Sequence, residues 1–447
     1  MKTGVHFRTE HQARLLRFFG ILTVLFILAS CGGGDDSGLP QSISLSATAT
    51  SPSEAQISWS TEPTAGVIGY DLYRNGVSVF STHISGTFVT DTGLSPGTRY
   101  CYVVYAIVFP LGAVSQSNEA CITTPAYATG WTISDVANGY AASFVLSPTG
   151  GKHLAYRQTD GLHYAASTGL SWADELIGPV FSGGTSITLD NADTVHIVYG
   201  DPSNGGVYLA SNASAAWSIE TVNDTGGFSI AQAVDNAGKL HIVYSDYDAA
   251  YYFNHQIWYA SNASGTWEKA YLTGSDYPIL SPNIALDGSD ALHVAYATGS
   301  GLCDLVHLTK SSGGVSWTTT GIDSNAGCAV SMDLDNLETP HVAYRKSMQV
   351  IQASLNAGTW NKEVVETLSW IGSDRVSIAV DASSQLHLSY GDQNSDLKYA
   401  RNIAGIWTFA YLDKVVSTNI IRIGPDDHAY ILYAPDSTGT LRLARSP

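Results

Sequence analysis

The stretch LHIVYSD, Leu240 to Asp246, returns along the chain as VHIVYGD from Val195, LHVAYAT from Leu292, PHVAYRK from Pro340 and LHLSYGD from Leu386. Aligned on the last tyrosine there are seven copies, at Tyr156, Tyr199, Tyr244, Tyr296, Tyr344, Tyr390 and Tyr433, spaced by 43, 45, 52, 48, 46 and 43 residues. Three residues before each tyrosine stand His153, His196, His241, His293, His341 and His387, with Tyr430 in the seventh copy. Six residues before the histidine, five copies carry Asp190, Asp235, Asp287, Asp335 and Asp381. Such a period means that one supersecondary unit is stacked many times, because a single unit cannot bury its apolar faces alone.

Each copy holds four strand-length runs, here called A (SIAQAVD), B (LHIVYSD), C (IWYASN) and D (WEKAYL). Four short strands per 40 to 50 residues predict a blade of a β-propeller. The chain ends support a closed ring. GWTISDV at Gly130 is a D run with no A, B or C of its own, while the seventh copy, Thr418 to Pro447, has A, B and C but no D. The first propeller strand is expected to complete the last blade, which removes exposed sheet edges. The predicted class is all-β, in keeping with only 13% charged residues and abundant Gly and Tyr.

A ring disperses the six histidines, so they cannot converge on one substrate or metal. Alternation in strand B sends His241 and Val243 to one face and Ile242 and Tyr244 to the other, both covered by neighbouring blades. The six histidines are therefore read as structural, with neutral imidazoles bonded to a neighbouring strand or to the Asp-bearing A to B turn. No cofactor is expected; calcium is the weaker reading of those turns, since DNAD at Asp190 and DLDN at Asp333 are too short for a calcium hand.

The first 30 residues read as a signal segment: Lys2, Arg8, Arg14 and Arg17 precede the apolar run FFGILTVLFILA. LASC, ending at Cys31, resembles a bacterial lipobox, which implies that Cys31 is lipidated and that 31–38, with GGGDDSG, is a flexible tether. The implied address is the cell envelope, anchored and extracytoplasmic, with the outer membrane or cell surface favoured by Gly32 after the Cys. A net charge of -18 disfavours nucleic acid, whose binding rests on Lys and Arg. With Cys31 set aside, Cys101, Cys121, Cys303 and Cys328 form an even set in an oxidising compartment.

From 39 to 126 about seven strand-like runs, among them AQISWS, GYDLYRNG and TRYCYVVYAI, resemble a fibronectin type III domain. Trp59 stands at the family's core tryptophan and Tyr100 at its corner tyrosine. The resemblance puts Cys101 and Cys121 on adjacent strands, where a bond adds about 3 kcal/mol. The propeller follows over 130–447. There, blade geometry places Cys303 and Cys328 on one face of neighbouring blades, as a second disulfide. The Gly-x-Trp turn between C and D, as in ASGTW and NAGTW, resembles the Asp-box turn of sialidase-like propellers, but the box's Asp is absent. No three-arginine set with a recognisable motif emerges from Arg157, Arg345, Arg375, Arg401, Arg422, Arg442 and Arg445, so sialidase catalysis is not implied.

Function is expected where the repeat is irregular. The third copy expands its B to C loop to DYDAAYYFNHQ, the connection TGSDYPILSP follows, and TLSWIGSDR leaves the fifth. These bring Tyr247, Asp248, Tyr251, Tyr252, His255, Asp276, Tyr277, Trp370 and Arg375 to one face. Aromatic rings beside carboxylates suit sugars. The favoured reading is a binding protein for a glycan or protein ligand, with the sandwich as a spacer from the membrane. A polysaccharide-cleaving enzyme using His255 with Tyr251 or Tyr252, and a structural envelope protein, are the alternatives.

Overall fold

The computed structural model describes residues 42–61, 66–109, 113–169, 171–201, 205–214, 216–247, 255–368, 375–415, 417–435 and 439–447. Cys31, the segment before it and the tether lie outside them. No α-helix occurs among the described residues.

The amino-terminal unit packs a three-stranded sheet, Ile43–Ser51, Glu54–Thr61 and Phe88–Thr92, on a five-stranded sheet centred on Val67–Arg74 and Arg99–Val108. Period-two alternation drives this, since Tyr102, Val104, Ala106 and Val108 turn inward toward Ile57, Trp59 and Leu72. Trp59 meets Tyr70 edge-on at 5.4 Å. The Tyr100 hydroxyl accepts the Ser95 N–H at 2.9 Å. Asp91, buried between the sheets, is held by Arg74 at 2.9 Å and by the Tyr102 hydroxyl at 2.8 Å. Cys101 and Cys121 face each other across paired strands and are bonded.

Beyond the linker lie seven four-stranded antiparallel sheets, numbered here from the first, Tyr140–Gly178, to the seventh. In each, strands run A, B, C, D in order. The seventh takes A, B and C from Asn419–Ile423, Ala429–Tyr433 and Thr440–Arg445, and its D strand is Thr132–Asn138 from the other end of the chain. The A strands of successive sheets lie side by side, and the first touches the last, so the sheets form a ring. A second disulfide, Cys303–Cys328, ties the B to C hairpin of the fourth sheet to the entry of the fifth.

The A to B turns explain the repeated aspartates. In Asp235 one oxygen accepts the N–H groups of Ala237 and Lys239, at 2.9 and 2.7 Å, while the other meets His241 Nε2 at 3.2 Å. Asp190, Asp335 and Asp381 repeat this pattern, with His196, His341 and His387 at 3.1 to 3.2 Å. Since a carboxylate only accepts, each histidine donates from Nε2 and presents Nδ1 as an acceptor. The Tyr259 hydroxyl bonds Nδ1 of His241 at 2.6 Å, and Tyr399 does so for His387 at 2.7 Å. Burial holds His387 below its ordinary value despite Asp381, which keeps the imidazole neutral.

Strand C then passes the packing to the next sheet. Tyr164 meets Trp217 of the second sheet edge-on at 5.1 Å, and Tyr259 meets Trp317 of the fourth at 5.4 Å. The motif tyrosines point the other way. Tyr344, Tyr390 and Tyr433 donate to Asp323, Glu366 and Asp413 on the D strand of the preceding sheet, at 2.8, 2.6 and 2.7 Å.

The second sheet breaks the pattern. Leu209 occupies the place of Tyr259, and His196 Nδ1 is left buried with no partner among the described residues. His241→Ala strands both Asp235 and the Tyr259 hydroxyl, and is expected to cost about 2 to 3 kcal/mol. His196→Ala strands only Asp190 and is expected to cost about 1 kcal/mol less. Urea denaturation of both variants checks the difference; equal losses would contradict a relay of three groups.

Candidate functional site

The inner edge of each A strand faces the ring axis, where its backbone donors would otherwise go unpaired. One position supplies the remedy. Ser143, Ser186, Ala231, Asn283, Ser331, Ser377 and Ile420 share a register, opposite Ala155, Val198, Val243, Ala295, Ala343, Ser389 and Leu432. Ser186 accepts the Gln232 N–H of the next sheet at 3.2 Å, Ser331 that of Ile378 at 3.2 Å, and Ser377 that of Ile421 at 3.1 Å. Asn283 accepts from Met332 and donates to the Val330 carbonyl. These residues enclose an axial channel of about 470 Å³.

Asp333 and Arg422 stand in the channel wall, which Arg375 lines as well. Asp333 accepts the Val380 N–H of the next sheet at 2.9 Å, and Arg422 keeps contact with solvent along the channel although protein surrounds it. Enclosure pushes Asp333 above the usual carboxylate range and Arg422 below its ordinary value, each opposed by the other's charge.

Toward the starts of the A strands the channel opens into a basin of about 710 Å³. Antiparallel pairing places the B to C loops at this same end. Arg157 and Arg375 line the basin with Ser182, Ser229, Ser281 and Phe228, which is 40% exposed; the Ser182 hydroxyl donates to Asp201 at 3.1 Å and that of Ser281 to the Cys328 carbonyl at 3.4 Å. Arg157 leaves the end of the first B strand, lies 5.8 Å over the Phe181 ring, and donates from Nη1 to the carbonyls of Phe181 and Ser182. No carboxylate among the described residues lies within ion-pair distance of it. Close backbone approach sets the rim between the second and third sheets. A methyl at Gly183 would lie 2.7 Å from the Gly200 carbonyl, and one at Gly200 would strike the Gly227 carbonyl.

A smaller pocket of about 300 Å³ adjoins the basin, sharing Phe228 and Leu280, and is completed by Ser245, Asp246, His255, Pro278 and Ile279.

The residues expected from the irregular loops are thus divided. Arg375 lines both channel and basin, and His255 lines the adjoining pocket. Asp276 and Tyr277 are exposed beyond the D strand of the third sheet, where the Tyr277 N–H donates to Ser275 Oγ at 3.0 Å. Asp248, Tyr251, Tyr252, Trp370 and the side chain of Tyr247 lie outside the described residues. Sequence reasoning missed Phe228 and the Ser and Asn register, and left Arg157 without a role. The register carried a readable signal, a small polar residue thirteen positions before the motif tyrosine in five of seven copies.

As a metal cluster, the described residues bring together only Cys101, Glu119 and Cys121, and both cysteines are spent in the disulfide. The turn aspartates direct their oxygens at N–H donors rather than at one another.

No known family model matches the chain. A stretch of 159 residues is 29% identical to an amylopullulanase of Thermoanaerobacterium saccharolyticum, covering 34% of this chain and 12% of that protein. The chain therefore spans about an eighth of the length of that curated relative. Among solved structures, the fucose-specific lectin of Aleuria aurantia is similar at a TM-score of 0.43 and 13% identity, over 65% of this chain and 98% of its own. A polysaccharide lyase acting as an ulvan lyase reaches 0.46 at 12% identity, over 69% and 93%. A Hadza microbial sialidase reaches 0.44 at 12% identity, over 89% and 93%. None reaches 0.5, and what the basin binds must be read from its own residues.

Proposed function

We propose that this chain is a lipid-anchored extracytoplasmic binding protein, in which a fibronectin type III sandwich carries a seven-bladed β-propeller whose basin recognises an anionic glycan. The pair of guanidinium groups, Arg157 and Arg375, at one mouth of the ring carries this reading. On a chain of net charge -18, a mouth lined by cations concentrates anions where the remaining surface repels them. Arg157 spends one nitrogen on two carbonyls, and a guanidinium offers five donors in a planar fork suited to carboxylate or sulfate oxygens. Serine hydroxyls supply the neutral polar contacts, and the half-open Phe228 ring offers a face for the apolar side of a pyranose.

The sandwich reading is supported by Trp59, by the Tyr100 corner contact and by the two-sheet core. The blade reading is supported by the sheet count and by closure through Thr132–Asn138. Lipidation of Cys31 rests on the lipobox resemblance. Cleavage of a polysaccharide remains the alternative, because His255 stands in the pocket beside the basin.

A glycan array probed with soluble protein beginning after Ser37 is expected to retain carboxylated or sulfated glycans over neutral ones. Arg157→Ala and Arg375→Ala should each weaken that binding about tenfold, the loss of one charge-assisted hydrogen bond, and added salt should weaken the parent likewise. Retention unchanged in both variants would move the site elsewhere, and new chain ends after incubation would favour the enzyme. The rim supplies a separate check. Gly200→Ala is expected to lower stability by about 1 to 3 kcal/mol and to weaken retention, whereas Gly321→Ala, with open space around it, should change neither.

A further inference from the structure

The turn joining the first two strands of the sandwich is covered along its whole length: Ser51, Pro52, Ser53 and Glu54 are all buried. A hairpin turn is ordinarily the most exposed part of a strand pair. Here the cover is the sixth sheet. Asn394 donates to Ser51 Oγ at 3.0 Å, Ser53 donates to Asp396 Oδ2 at 2.8 Å, and the Tyr411 hydroxyl donates to the Thr50 carbonyl at 3.3 Å. Lys414 Nζ bridges the two units, 2.6 Å from Asp396 and 2.9 Å from Ser53 Oγ. Tyr127 of the linker donates to the other oxygen of Asp396 at 3.2 Å.

The partner of this turn is the B to C hairpin 392–396, so the sandwich sits on the face that carries the basin. That hairpin contains an irregularity. Asp392 is 1% exposed; its Oδ1 accepts the N–H groups of Asn394 and Asp396, but its Oδ2 has no partner among the described residues. Two carboxylates, Asp392 and Asp396, are thus buried in one five-residue loop, and the ammonium of Lys414 reaches only the second. The charged and titratable groups around them are Lys398 of the same sheet, Tyr411, Asp413 and Lys414 on its D strand, Glu366 and Arg345 of the fifth sheet, the latter donating to the Gly391 carbonyl, and Glu54 and Tyr127 from the sandwich side.

We propose that this contact is a proton-tightened latch: a proton on Asp392 strengthens the docking of the sandwich beside the basin, and its loss loosens it. The proposal stands on the interface alone and does not depend on the ligand proposed above. Burial and the neighbouring Asp396 raise Asp392 to about 6 in the docked state. The sign follows from the direction of that shift. Docking penalises the ionised form, so the penalty is fully present above about pH 6 and is relieved as pH falls toward the ordinary carboxylate value. Release uncovers Asp392 while Asp396 stays in the same hairpin, so the released value lies between the ordinary one and about 6, and the ratio of docked to released molecules rises by up to about tenfold from pH 7 to pH 5.

The test is the alkylation rate of a thiol placed in the covered turn, Pro52→Cys, in the full chain, divided by that of a thiol at exposed Val77→Cys. The reagent is iodoacetamide, and the readout is the mass of each labelled peptide. The quotient removes the pH dependence of the thiolate and reports the released fraction, however small. It is expected to fall severalfold, up to about tenfold, between pH 7 and pH 5. Adding Asp392→Asn, which keeps the Oδ1 acceptor and removes the charge, is expected to give the low value at both pH values. A quotient that stays constant in the Asp392 chain overturns the latch, whether it is low or near one. So does a chain with Asp392→Asn that still follows the original slope, because another group would then be titrating.

Discussion

Backbone pairing between Thr132–Asn138 and Thr440–Arg445 joins the two ends of a chain segment more than 300 residues long, and it closes the ring together with the packing of the first sheet on the seventh. The seam uses the same chemistry as the internal sheet junctions. Trp131 meets Tyr399 of the sixth sheet edge-on at 5.0 Å, as Trp217 meets Tyr164 of the first. Arg442 adds charge to the seam, reaching Asp135 at 2.7 Å and Asp413 at 2.9 Å. Since both faces of each sheet are covered, an edge left open at Thr440–Arg445 would expose a row of donors and acceptors and uncover Trp131 as well. Closure is therefore a condition for burying every other face.

This condition explains why the motif was so legible. A side chain that must bridge two sheets at the same depth in every unit is held to one chemistry, so His241 and Tyr244 recur where loop residues do not. Asp235, His241 and Tyr259 could be placed from the repeat alone as a turn acceptor and a buried imidazole, but the hydroxyl that completes the relay lies on strand C, out of register with the motif. The inner Ser and Asn register was harder to see. Small polar residues such as Ser186 and Ser331 read as ordinary strand-surface residues until the next sheet's Gln232 and Ile378 supply their donors. Arg157 was overlooked for a related reason: it follows the motif tyrosine directly, where other copies carry Gly200, Ser245, Ala297, Gly391, Ala434 and a second arginine, Arg345, which is buried and bonded to the Gly391 carbonyl. Its meaning depends on lining the same basin as Arg375, which comes from another sheet, and a single sequence does not display that convergence.

The two kinds of position also differ energetically. The relay positions are buried and mutually bonded, so their substitution is felt as stability. At the basin, Phe228 keeps contact with solvent and Arg157 is held by two long carbonyl contacts, at 3.3 and 3.4 Å, so these side chains can exchange water for a ligand without dismantling a sheet. Arg422 and Asp333 lie between these cases. Their charges oppose each other in the channel wall, which Arg375 lines as well.

The sandwich alters how that mouth is presented. As a spacer proposed to lead from a membrane anchor, it would need only length, and a free linker would leave the ring to tumble. The buried turn at Ser51–Glu54 and the Lys414 bridge instead tie its orientation to the basin-bearing face. Two carboxylates in a covered loop with one bridging ammonium make a poor permanent weld, because ionised Asp392 has no donor for its second oxygen among the described residues. An interface built only for rigidity would be better served by an apolar or amide residue at that position. What the carboxyl adds is sensitivity: the orientation of the basin relative to the sandwich becomes a function of local acidity, while the ring keeps its closure and its stability.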